Sequence, residues 1–150
     1  MRSAFYLFFF TGIFSMSQAW ADGSTFPCGT KLVCSVPVTV NTSVSPCTAT
    51  TPYRVTVNRR RDRLPIVIRL YIDPPNSPAK FEQVDGVTFV GNGNHGTPWS
   101  DHFDRPIRFS DRVFWIVDKN PSGDEQFEYA FAIRNVGPCR SGDPFIHNTN

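Results

Sequence analysis

Beyond residue 14 the chain has no long apolar run, so nothing after that point can cross a bilayer as a helix, which takes about 20 apolar residues. It has no amphipathic helical stretch of ten residues, which argues against a helical fold, and no internal repeat. No C-x2-C pair, G-x-S-x-G or H-E-x-x-H motif is present. Nothing in the pattern therefore announces a zinc site, a hydrolase nucleophile or a metalloprotease helix. Charge of one sign is lacking too. Residues 22–150 carry fourteen Lys and Arg against thirteen Asp and Glu. A net charge near +1 implies no broad attraction to nucleic acid or membrane.

What is there begins with an export signal. Met1-Arg2-Ser3 carries one positive charge, Ala4 to Phe14 is apolar, and Ser15, Ser17 and Gln18 are polar. Ala19 and Ala21 then stand at the −3 and −1 positions of a cleavage site before Asp22. This order is that of a secretory signal peptide. The expectation is a signal peptide over residues 1–21 and a single domain over residues 22–150, periplasmic or secreted. No cysteine sits at the cleavage point, so no lipid anchor is expected, and no membrane span remains after cleavage.

Four cysteines, Cys28, Cys34, Cys47 and Cys139, point to two disulfides in an exported chain. Three pairings are open. In each of them Cys139 ties the end of the chain to its first third, a loop worth roughly 4 kcal/mol in the chain-entropy model. All thirteen prolines lie beyond residue 21 and oppose long helices.

Strand signals recur along the domain. Val36, Val38 and Val40 alternate with smaller or polar residues, and Pro37 restricts that strand to an edge or a strand start. Tyr53, Val55 and Val57 alternate likewise, and Ile66 to Ile72 is apolar at nearly every position. Val87 to Val90, Ile107 to Phe109, Val113 to Val117 and Gln126 to Ile133 complete the set, the last two reading as a hairpin with an eight-residue connection. Asp22–Pro27 reads as a polar lead-in and Ser43–Pro52 as a loop. About seven short strands separated by turns predict an all-β fold: a small antiparallel β-sandwich, loosely immunoglobulin-like, with two disulfides.

Two loops stand out. Gly91 to Asp104 combines three glycines with His95, Trp99, Asp101, His102, Phe103 and Asp104. A conformable backbone bearing an aromatic anchor suits recognition. His95, Asp101 and His102 at short spacing are the residue types of a metal site, the basis of an alternative reading as a metal-dependent enzyme. The competing structural reading tucks Trp99 and Phe103 into the core edge. Arg59, Arg60, Arg61 and Arg63 form the second feature; arginine forks suit carboxylates, phosphates and anionic envelope polymers, while a charged turn can equally serve as a solvated tip. Four arginines are too few to imply nucleic acid. No residue is assigned a catalytic role, and no metal or cofactor is expected.

Gln126 to Ile133 leads through Cys139 to Asp143-Pro144-Phe145-Ile146-His147-Asn148. A strand pattern running into a D-P-x-I-x-N ending resembles a pattern in small exported bacterial β-domain proteins of uncharacterised function. The resemblance covers the last forty residues or so and implies a bacterial β domain without implying an activity. The expected role is that of an exported binding or accessory protein that recognises another envelope or secreted macromolecule through its loops. A small inhibitor or immunity-type protein blocking a partner enzyme is the second reading.

Overall fold

In the computed structural model the described residues are 24–137 and 139–149; the expected signal peptide lies outside them. Thirteen strands and one helical turn follow in the order β1 (Thr25–Gly29), β2 (Val33–Asn41), β3 (Cys47–Thr50), β4 (Arg54–Asn58), β5 (Ile66–Asp73), β6 (Lys80–Phe81), β7 (Val87–Phe89), α1 (Trp99–His102), β8 (Ile107–Ser110), β9 (Val113–Asp118), β10 (Glu125–Phe131), β11 (Ile133–Arg134), β12 (Cys139–Ser141) and β13 (Phe145–Thr149). A five-stranded sheet runs β1-β4-β13-β10-β7 and a six-stranded sheet runs β12-β3-β2-β5-β9-β8, with β6 and β11 pairing alone. The fold is the all-β sandwich the alternation predicts.

Period-two alternation builds the core directly. Val36, Val38 and Val40 of β2, Ile66, Ile68, Leu70 and Ile72 of β5, and Phe114 and Ile116 of β9 are buried on one side. Val55 and Val57 of β4, Phe127, Tyr129 and Phe131 of β10, and Ile146 of β13 belong to the same buried cluster from the other sheet. Register keeps these residues in rows: Val36 lies opposite Leu70, and Leu70 opposite Phe114.

Four details differ from the sequence reading. The sheets are mixed rather than antiparallel, because β1–β4, β4–β13, β2–β5 and β3–β12 pair in parallel. Alternation fixes which face a residue takes and is silent on strand direction. The expected hairpin of β9 and β10 does not form: β9 pairs with β5 and β8, and β10 with β13 and β7. Both strands turn an apolar face inward, so the connection carries the chain from one sheet to the other. The Arg59–Arg63 turn, expected as a hairpin tip, likewise crosses between sheets, since β4 and β5 belong to different ones. Finally, β2 is interior, yet Pro37 is tolerated because β3 pairs only with Thr39 to Asn41. Pro37 has β5 on one side and no strand on the other at its level.

The disulfides are Cys28–Cys34 and Cys47–Cys139. The first closes the β1–β2 turn. The second joins β3 to β12 at register-matched positions and spans 92 residues of sequence. Among the described residues no helix is long and apolar enough to cross a membrane. Two disulfides are in keeping with a protein outside the reducing cytoplasm.

Candidate functional site

The Arg59–Arg63 turn is built around Arg60. Its guanidinium bonds both oxygens of Asp62, with Nε to Oδ1 at 2.9 Å, and donates to the Thr30 carbonyl of the β1–β2 turn. That guanidinium holds the Asp62 carboxyl below the usual carboxylate range. Asp62 Oδ1 also accepts from the Leu64 amide, and Arg63 adopts a left-handed backbone at φ 55°. The Arg60 amide donates to Asn120 Oδ1 at 2.9 Å, and Asn120 Nδ2 returns a bond to the Arg60 carbonyl at 3.2 Å. The turn is therefore clamped at its centre, leaving Arg61 and Arg63 exposed and Arg59 half-buried.

The 91–104 loop folds in its second half onto the core. Trp99 stacks on Phe89 at 5.1 Å between ring centroids, and Phe103 stacks on Phe89 at 4.6 Å. Phe103 and His102 are buried, with His102 packed 4.7 Å from the Phe127 ring. Gly93 is buried because a Cβ there would lie 2.6 Å from Glu125 Oε2 and 2.8 Å from Phe127 Cε1. Glu125, buried at the start of β10, organises the first half of the loop. Its carboxylate accepts from the Thr97 hydroxyl and from the His95 amide. Burial acts to raise that carboxyl; the two hydrogen bonds, together with the nearby His95 and His102 rings, outweigh it and hold it below the usual range. His95 itself is exposed, its Nδ1 3.6 Å from Glu125. Asp101 and Asp104 are exposed as well.

Between the two loops lies a buried polar cluster that sequence reasoning missed. Asp118 ends β9 with its carboxylate in the core, pushed up to about 6 by burial against the Asn120 amide and the Asn148 side chain, which both act to lower it. Asn120 bonds Asp118 Oδ1 at 2.7 Å through its amide. Asn148 Nδ2 lies 3.1 Å from His102 Nδ1. Burial lowers His102 below the ordinary histidine value, opposed by the Glu125 and Asp101 carboxylates. Among the described residues Asp118 Oδ2 and Asn148 Oδ1 find no hydrogen-bond partner. The signal was available: Phe114-x-Ile116-x-Asp118, Glu125-x-Phe127 and Ile146-x-Asn148 continue the inward face at period two.

This cluster brings the two candidate loops together. Asn120 holds the arginine turn. Its neighbour Lys119 donates its amide to the His102 carbonyl at 2.7 Å and its Nζ to the Ser100 carbonyl at 2.6 Å. Arg59–Arg63 and Trp99–Asp104 thus flank the Asp118–Asn120 corner at one end of the sandwich. The proposed metal ligands do not converge: His95 faces Glu125, His102 turns inward to Asn148, and Asp101 is exposed. Among the described residues no three His, Cys, Asp or Glu side chains are placed to hold a metal. Trp99, read either as a recognition anchor or as tucked into the core edge, is half-buried and packs against the core, because Phe89 offers it a stacking face. In the D-P-x-I-x-N ending, Pro144 and Ile146 are buried and Asn148 joins the polar cluster.

Fold and site together define a small, two-disulfide β-sandwich with a loop-built surface at one end. The chain matches no protein-family model and no curated protein.

Proposed function

We propose that the protein is an exported recognition protein, periplasmic or secreted, that binds another envelope or secreted macromolecule through this end of the sandwich. The observation that carries the reading is the meeting of two loops, far apart in sequence, at Asp118–Asn120. Both loops are held from beneath by hydrogen bonds, half-buried at the Arg60–Asn120 pair and buried at His102–Asn148, so their exposed side chains are presented in a fixed arrangement. Preorganisation of this kind reduces the ordering cost of binding. The exposed members are His95, Asp101 and Asp104 on one side and Arg61 and Arg63 on the other. Trp99 supports the surface from below.

Crosslinking of the oxidised protein in envelope and culture-supernatant fractions tests the reading. One macromolecule should be captured by the wild type. Capture should fall in Asp101→Ser and in Arg61→Ser, and persist in Arg69→Ser on the outer face of the six-stranded sheet. Equal capture by all four proteins, or none by any, would remove the proposal.

A further inference from the structure

The turn from Arg59 to Arg63 holds four arginines against one aspartate, a local excess of three positive charges in a domain whose other charges nearly cancel. Arg60 and Asp62 neutralise each other and shape the turn. Arg59, Arg61 and Arg63 are outside every ion pair formed among the described residues. They border two adjoining open clefts, one of which Thr30 also lines. Exposed Lys31 follows Thr30 in the chain.

We infer that Arg59, Arg61 and Arg63 form a binding site for a phosphate-bearing polyanion. The inference rests on the recognition reading above and specifies the chemistry met by one half of that surface. Three guanidinium forks offer far more N–H donors than the two oxygens of a single carboxylate can accept. A phosphate group brings a charge of about −1.5 to −2 and three strong acceptor oxygens. The clefts are open to water, where an isolated ion pair contributes little. Linked phosphates, engaging several forks at once, gain from each contact the effective concentration set by the last. The clamp on Arg60 matters here, since it keeps Arg59 and Arg61, its two neighbours, at a fixed spacing. Arg63 is held in a left-handed backbone that glycine would adopt at lower cost, so an arginine stands there despite local strain.

Calorimetric titration of the whole oxidised protein with inorganic tripolyphosphate tests this, at low and at physiological ionic strength. Binding should weaken as salt rises. It should fall by about tenfold or more in the Arg59→Ser, Arg61→Ser, Arg63→Ser triple variant, whose folding is checked by near-ultraviolet circular dichroism. Arg69→Ser, an equal step in charge per residue elsewhere, should leave the affinity unchanged. Vesicles containing phosphatidylglycerol form the second arm: binding to them without binding to tripolyphosphate would place the phosphate in a lipid headgroup. Binding to neither probe, or equal affinity in the triple variant, would overturn the inference. Macromolecular capture by the wild type that falls in Arg61→Ser while neither probe binds would leave the recognition reading standing without it.

Discussion

Asn148 of β13 places its side-chain nitrogen 3.1 Å from Nδ1 of His102, joining the last strand to the helical turn α1 across 46 residues of sequence. Both side chains are buried, and the same Asn148 side chain also serves Asp118. Replacing Asn148 with Ala leaves two buried groups short of a partner. A loss of about 2–4 kcal/mol is expected from urea unfolding. Asn148→Asp should cost more at neutral pH, because it sets a second carboxylate against Asp118.

Asp118 makes stability depend on pH in an unusual sense. Its carboxyl is raised in the folded protein to about 6. A group raised on folding stabilises fully below its unfolded value and loses that contribution as pH rises through the folded value. Asp118 should therefore withdraw about 3 kcal/mol between pH 4 and pH 6 or a little above. Asp118→Asn, which imitates the neutral acid, should flatten this slope and unfold later than wild type at pH 7. The difference between the two proteins across that range isolates Asp118 from Glu125, whose lowered carboxyl works in the opposite direction.

The two disulfides should differ in weight. Chain entropy assigns about 2 kcal/mol to the six-residue Cys28–Cys34 loop and between 4 and 5 kcal/mol, approximately, to the 92-residue Cys47–Cys139 loop. Paired Ser variants compared by thermal unfolding should show the second loss to be about double the first. Equal losses would mean that the entropic account does not apply here.

Gly93 should tolerate no side chain. An added Cβ would meet the Glu125 carboxylate and the Phe127 ring, neither of them a free end in solvent. Gly93→Ala is expected to cost about 1–3 kcal/mol and to loosen the 91–97 segment, seen as faster amide exchange at His95.

The proposed export predicts a mature chain starting at Asp22. Intact-mass measurement of protein recovered outside the cytoplasm should show the loss of residues 1–21. A retained N-terminus would point to an anchored form instead.

The strands with clean alternation were legible in the sequence: β2, β4, β5, β7, β8, β9 and β10 all fall where Val, Ile, Phe and Tyr recur at period two. β1, β3 and β13 fall where the pattern reads as lead-in, loop and tail. Cys47-Thr48-Ala49-Thr50 turns only a cysteine and a small alanine inward, and β13 places Asn148 on its inward face. These segments are strands because apolar neighbours supply the ladder, a tertiary effect that local composition does not carry. The residues of the candidate surface were named from composition. Which of them support and which are exposed was left open for Trp99 and Phe103 and missed for His102, since Phe89 and Phe127, ten or more residues away, turn them inward.

β13 lies between β4 and β10 in the middle of its sheet, and β12 carries the cysteine that closes the other. A chain still emerging from the ribosome therefore has one sheet split into two halves with a vacant slot between them. Residues 139–149 fill that slot in one sheet and add the disulfide-bonded edge strand to the other. Losing β13 should therefore unseat the five-stranded sheet from its middle, since β4 and β10 share no other neighbour.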